Sequence, residues 1–290
     1  MVIRVGLLPG IGDIIYTWYK LDHYVSAGHS FEVLVGSSPP RRAHQLKGML
    51  DGMESMEYVD DFGVDSRYRW VQVDDLLNPP SAARYRGGTF LHTNSFVESG
   101  AGLAAFMPSV PINYGIRFEG TTEEAAEARS IVGDSSVVLY TSSVFENSKM
   151  RADHSPEFFE RCVLESSNAW GLSGDPRIVM IGAEWDAELV RSVGSHLDQK
   201  GFEVVTLLSY PLGLVTEVLR ASGHAVLFES GMLMIADLVG ARFLHLVRNQ
   251  PERDNDRIHL SGIFNPETLA SRYMRLPPDG VTSQIGKVPL

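Results

Sequence analysis

Between residues 136 and 247 short apolar runs alternate with stretches of helical spacing, and that rhythm leaves few folds open. Strands are expected at 136–141, 177–182, 202–207, 224–228 and 242–247. Helices are expected at about 156–166, 186–199, 211–221 and 231–239. Parallel strands need a crossover, and helices of this length supply it, so the pattern implies a doubly wound parallel sheet. The first half opens the same way. Residues 2–8 read as a buried parallel strand. Ile14, Trp18, Leu21 and Val25 then recur at helical spacing over 13–26, ending at Gly28, and 31–35 is the next strand.

The rest of the first half is less regular. Gly36-Ser-Ser-Pro-Pro40 is a turn and 41–49 a helix, so Arg41, Arg42 and Lys47 start at the carboxyl end of a strand. Open α/β sheets bind ligands along that edge. The three cations are either a solvated helix face or an acceptor site for something anionic. Residues 56–59, 69–73 and 89–92 read as short strands. The polar trio His92-Thr93-Asn94 ends the last of them, either to hydrogen-bond a ligand or as a satisfied turn. A helix and a Pro-bounded loop are expected over 96–111. Residues 113–134 carry Glu123, Glu124 and Glu127 with few apolar anchors, the composition of an acidic surface helix linking two domains. The tail over 265–274 has helical spacing.

Two strand-to-helix turns carry glycine. Val5-Gly-Leu-Leu-Pro9-Gly10-Ile11-Gly12-Asp13 opens the first helix, with a carboxylate at its start. Val226-Leu-Phe-Glu229-Ser230-Gly231-Met232 ends a strand and opens another helix. A helix N-terminus presents unpaired N–H groups and partial positive charge, which suits phosphate. Gly231 allows a ligand close to the backbone. Asp13 is either an N-cap or a functional carboxylate. One such turn in each half implies an α/β protein of two Rossmann-like doubly wound domains facing a central cleft: residues 1–130, residues 131–262, and a returning tail over 263–290.

Gly10-Ile-Gly-Asp-Ile-Ile15 before an amphipathic helix resembles the N-terminal motif of the ADP-heptose:lipopolysaccharide heptosyltransferases, glycosyltransferase family nine, whose fold is called GT-B. Glu229-Ser-Gly-Met-Leu-Met-Ile-Ala-Asp-Leu-Val-Gly240 is similar to that family's Asp-Ser-Gly-Pro-x-His-Leu-Ala-x-x-x-Gly. Order and separation of the two match as well, and the resemblance implies that the tail, with its helix over 265–274, crosses back onto the first domain. The resemblance implies transfer of a sugar from a nucleotide-diphosphate sugar, with Asp13 as general base and the donor held by Gly12, Glu229, Ser230 and the N–H groups of Gly231 and Met232. It implies Glu184 on the nucleoside, with Asp186 as the N-cap of the following helix. The family also places a Lys ahead of Pro156-Glu-Phe-Phe. Asp153 stands there instead, and Lys149 or Arg151, farther upstream, takes the phosphate role. Glu229 replaces the family's Asp and Met234 its His. Arg41, Arg42, His92 and Asn94 are the acceptor candidates.

Composition bounds the rest. The chain of 290 residues is 44% hydrophobic and 21% charged, a globular profile. A formal charge of −11 argues against a basic coat for nucleic acid. Single Cys162 forbids an internal disulfide or a cysteine zinc site and is expected to pack inside a helix. The nine His show no metal spacing, and Asp254-Asn-Asp256 reads as a solvated loop. Gly10-Ile-Gly12 lacks the third glycine of the dinucleotide fingerprint. No apolar run reaches membrane-span length, and no leader precedes the first strand, so a cytoplasmic protein is expected. The expected enzyme is an inverting glycosyltransferase without metal or other cofactor, acting on a glycan or other anionic acceptor. The alternatives are transfer to modified bases in DNA, nucleotide-sugar epimerisation, and non-catalytic nucleotide-sugar binding.

Overall fold

Six mostly apolar residues, Val2–Leu7, form the first strand (β1), and three residues later the chain enters a helix (α1, Ile11–Ser26). The computed structural model describes residues 2–7, 11–36, 49, 53–59, 84–85, 88–89, 113–116, 118–142, 155–172, 174–228, 230–246, 264 and 266–275. Packing divides the chain into two units, Met1–Phe118 with Arg253–Asn265, and Glu119–Glu252 with Pro266–Leu290.

In the first unit β1 pairs in parallel with β2 (Ser30–Gly36), and β2 with β3 (Met53–Val59). The register skips Glu54 opposite Phe31 and Glu32, a bulge in β3. Ile15, Trp18, Tyr19 and Leu21 of α1 are buried, as the helical spacing requires. Asn113 ties the end of this unit to α1: its N–H donates to the Tyr19 carbonyl at 2.7 Å and its amide to Asp22 at 2.5 Å. Near residues 89–92, the described segment is a two-residue antiparallel pair, β4 (Arg84–Tyr85) with β5 (Gly88–Thr89). The expected strand at 69–73, the helix over 41–49 and the 96–111 segment lie outside the described residues, save Met49 in a turn.

The second unit holds a parallel sheet of six strands. Its elements follow the expected rhythm. They are α2 (Thr122–Val132), β6 (Ser136–Tyr140), α3 (Pro156–Trp170), β7 (Arg177–Gly182), α4 (Ala187–Gln199), β8 (Val204–Leu208), α5 (Leu212–Ser222), β9 (His224–Phe228), α6 (Gly231–Leu238), β10 (Arg242–Leu246), α7 (Pro266–Ser271) and β11 (Tyr273–Arg275). Spatial order is β8-β7-β6-β9-β10-β11, so the chain builds outward from β6 on one side, then returns and builds outward on the other. Val137, Leu139, Ile178, Met180, Val226 and Leu244 meet the inner faces of α3 and α4 in one apolar cluster. Cys162 lies fully buried within it, on α3.

Two boundaries differ from expectation. The acidic helix α2 belongs to the second unit and covers less of 113–134 than the composition indicated. Its start is fixed by a capping box between Thr121 and Glu124. Just before it, Gly120 donates its N–H to the buried Glu217 carboxylate of α5 at 2.7 Å. A Cβ at Gly120 would stand 2.8 Å from the Gly213 carbonyl, so only glycine fits this approach. The second difference is in the tail. After the short helix α7 it forms β11, parallel to β10, and joins the sheet of the second unit rather than the first domain. Fully buried Thr268 on α7 donates to Asp237 of α6 at 2.5 Å, and Arg272 reaches the same pair. No helix among the described residues is long and apolar enough to cross a membrane.

Candidate functional site

The strand order has one switch point, between β6 and β9, where successive connections leave the sheet in opposite directions. Outside the carboxyl ends of such a strand pair, the flanking loops part and leave a crevice. Tyr140 is the last residue of β6 in register with β9, opposite Leu227. Thr141 and Ser142 follow on one side, and Ser230 and Gly231 follow the end of β9 on the other.

Ser230 is extended (φ −166°, ψ 175°) and caps α6. Its hydroxyl accepts the Met232 N–H at 3.2 Å, and its carbonyl accepts the Leu233 N–H at 3.1 Å. The Gly231 N–H is left without a partner among the described residues. Met232 therefore differs from expectation, because its amide serves the helix cap instead of standing open to a ligand, and its side chain is buried. Met234, where the related motif has His, is also buried, in a helix whose residues from Met232 to Asp237 all face protein.

On the β6 side, Thr141 is 1% exposed and its hydroxyl has no hydrogen-bond partner among the described residues. Buried hydroxyls nearly always have one; those of Ser136, Ser167 and Thr216 are likewise without one, and Thr141 is the one of the four that follows β6 at the switch point. Ser142, equally buried, donates its hydroxyl in a very short hydrogen bond to Asp186. The other oxygen of Asp186 accepts the Ala183 N–H at 2.9 Å. Asp186 stands at the N-cap position of α4, as expected, but its side chain makes no cap bond to that helix; it turns back across the one-turn 3-10 helix Glu184–Asp186 and braces the ends of β6 and β7. Glu184 itself is exposed at the carboxyl end of β7. Beside it β8 is followed by Ser209, whose φ of 57° makes it the only non-glycine residue in the left-handed region among those described. Next comes Tyr210, 40% exposed.

The structure brings Ser230 and Gly231 to the switch point, opposite Thr141, with Glu184 two strands away from β9. Gly12 and Asp13 lie in the first unit as the second and third residues of α1, directly after β1. Asp13 falls in the first turn of α1 rather than before it, a place where a carboxylate complements the helix dipole. Lys149, Arg151, Glu229, Arg41, Arg42, His92 and Asn94 fall outside the described residues, as do Asp254 and Asp256. Thr141 and the bracing role of Asp186 had no counterpart in the sequence reading. The run Tyr140-Thr-Ser-Ser143 after an apolar strand was the available signal.

No protein-family model matches the chain, and no curated protein matches it. Solved structures do share its fold. A family 9 glycosyl transferase from Veillonella parvula DSM 2008 aligns with a TM-score of 0.56 at 13% identity, over 84% of this chain and 81% of its own. ADP-heptose lipopolysaccharide heptosyltransferase II of E. coli gives 0.55 at 10% identity, over 84% of each chain. E. coli heptosyltransferase WaaC, solved with ADP, gives 0.50 at 14% identity, over 97% of this chain and 96% of its own. The mixed α/β fold with its parallel sheet is the one these glycosyltransferases have.

Proposed function

We propose that this protein is an inverting, metal-independent glycosyltransferase that moves a sugar from a nucleotide-diphosphate sugar to a hydroxyl of a glycan or other anionic acceptor. The observation that carries this reading is the pair at the switch point, the Thr141 hydroxyl, without a hydrogen-bond partner among the described residues, and Gly231 as the first residue of a helix. As the bond to the sugar breaks, negative charge gathers on the leaving diphosphate. Donors fixed in advance at that place stabilise it, and a helix N-terminus adds a partial positive charge. Lys149 or Arg151, from the segment after β6, supplies the cation that a metal supplies in other transferases. Glu184 accepts ribose hydroxyls, with Tyr210 on the neighbouring strand end beside the base. Glu229 and Ser230 line the donor sugar and phosphates.

Asp13 is the proposed general base for the acceptor hydroxyl. A carboxylate titrates near 4 in water, so this role requires desolvation when substrates bind. Gly12 gives the backbone clearance beside it. Arg41, Arg42, His92 and Asn94 hold the acceptor. Fold likeness to proteins named as heptosyltransferases supports the donor class, one of them having been solved with ADP.

A thermal-shift screen over nucleoside diphosphates and nucleotide sugars, run in EDTA, tests this. A ligand at a hundredfold its Kd adds about 2.7 kcal/mol. The expected result is a shift by one nucleoside diphosphate that survives EDTA, followed by transfer with inverted anomeric configuration when that donor is offered acceptors. No shift by any member refutes the donor class. Isomerised sugar without acceptor would make the protein an epimerase, and a shift restored only by Mg²⁺ or Mn²⁺ would refute metal independence.

A further inference from the structure

We propose that the free edge of β8 is a dimer interface, on which a second copy of this chain lays its own β8 antiparallel, about a two-fold axis through Val205. β8 ends the six-stranded sheet on one side. The Glu203 carbonyl accepts the Ile178 N–H and the Ser209 N–H donates to the Gly182 carbonyl, both at 2.8 Å. Odd-numbered residues here thus turn their backbone groups to β7, and Val204 and Thr206 turn theirs outward. Neither has a backbone partner on that side among the described residues, and Thr206 is exposed. Edges are ordinarily blunted by proline, a bulge or charge. β8 has none of these. It reads Val-Val-Thr-Leu-Leu, its register with β7 is unbroken, and the flanking Glu203 is already paired with Arg177 at 2.6 Å. The opposite edge strand, β11, has only three residues.

The flank of α4 says that the occupant is a second copy. α4 packs on β7 and β8 and, as their crossover, runs antiparallel to them. Its Val190, Val193 and Leu197 face the core, and His196 reaches Glu160 of α3 at 2.6 Å. The flank away from α3, over the free edge, carries Arg191 and Asp198, two turns apart. Both are exposed, and neither has an ion-pair partner among the described residues. A Cβ on Gly194 would stand 3.6 Å from Val204 and 3.2 Å from Met180, which is in register with Thr206, so Gly194 lies level with Val205. Arg191 is then about 4.5 Å from that level toward the carboxyl ends of the strands, and Asp198 about 6 Å from it toward the amino ends. The two-fold exchanges those directions. It brings Arg191 of each copy level with Asp198 of the other, across helices about 10 Å apart. In the same register Val204 exchanges both backbone bonds with Thr206 of the second copy, and Val205 faces its own counterpart at the close spacing that suits β-branched pairs. A foreign strand would use the backbone groups and leave both charges unmatched.

Sedimentation equilibrium of the full chain at about 1–100 μM, at low salt, is the test. The expected result is a reversible monomer–dimer equilibrium. Thr206→Pro removes an outward N–H and leaves the bonds to β7 in place, so it should abolish the dimer while circular dichroism shows the fold retained. Arg191→Asp turns two attractive pairs into two repulsive ones and should weaken the dimer by about tenfold, as should Asp198→Arg. Arg191→Asp combined with Asp198→Arg restores opposite charges across the axis and should return dimerisation to wild type. If Thr206→Pro does not fold, the charge exchange decides. A dimer that survives Thr206→Pro, or a combined exchange that restores nothing, would overturn the interface. A wild-type protein that stays monomeric over the whole range would overturn it as well and leave the edge to a strand from another protein.

Discussion

Replacing Thr268 by Val isolates the worth of the contact that docks the tail onto α6. Thr268 has no exposed surface, and its hydroxyl donates to an Asp237 carboxylate that is 3% exposed, at 2.5 Å. Arg272, from the turn before β11, donates to the same hydroxyl oxygen and stands 3.5 Å from the same carboxylate oxygen. Valine keeps the shape and removes only the hydroxyl. A hydrogen bond to a buried charge is worth about 1.5–3 kcal/mol. Arg272 is a quarter exposed and recovers water, so its loss adds little. The expected cost is about 2 kcal/mol. For a unit of about 160 residues this lowers Tm by about 4–8 °C. Calorimetry gives the value, with the transition of the first unit as internal reference. Asp237→Asn keeps an oxygen for Thr268 while removing the buried charge, so it should cost less than Thr268→Val. Asp237 lies six residues along α6 from Gly231, about 9 Å along the axis, and nucleotide affinity should be unchanged. A Thr268→Val protein within about 0.5 kcal/mol of wild type would refute the reasoning, because that is the range of changes touching nothing important.

Three further outcomes are expected. Gly231→Val should weaken nucleoside diphosphate binding by about tenfold or more, since a branched side chain obstructs approach to the N–H of the first helical residue; unchanged affinity in a folded variant moves the donor elsewhere. Asp13→Asn should lower transfer by about 10²–10⁴-fold with little change in nucleotide affinity. Its stability should fall by no more than about 1 kcal/mol, the helix-dipole contribution of a first-turn carboxylate, and full activity would eliminate Asp13 as the base. Burial pushes the Cys162 thiol up to about 12. In the unfolded chain it titrates near 8.5, so this group's contribution to stability is complete below about pH 8.5 and is lost as pH rises toward 12. Native protein at pH 8 should therefore resist thiol reagents until it unfolds, and prompt modification of the folded state would contradict the burial.

Strands β7 and β9 have the bounds the sequence implies, residue for residue. Both are interior to the sheet, apolar after their first residues, Arg177 and His224, and sharply bounded: Pro176 precedes one, and Gly223, at φ 68°, precedes the other. The glycine of the second turn likewise opens α6 where expected. What escaped the sequence depends on partners distant along the chain. Strand β11 has three residues, too few to show a period, and it exists because β10 offers an edge. Helix α2 has the composition of a linker, yet Gly120 is fixed by Glu217, 97 residues later. Asp186 before a helix looks like a cap, and only folding brings Ser142 to it. The hydroxyl of Thr141 was plain in the sequence; its lack of a partner is a property of the packed state.

The order of the strands in space also sets an order in time. β10 leaves the ribosome well before β11, with the Arg253–Asn265 stretch of the other unit made in between. During that interval β10 is a bare edge, and Asp237 lacks both Thr268 and Arg272. A nascent chain halted before residue 275 would present an unpaired row of backbone groups beside an apolar strand, the template on which other chains pair. Synthesis must therefore pass residue 275 before this unit closes, and chains cut between β10 and β11 should aggregate.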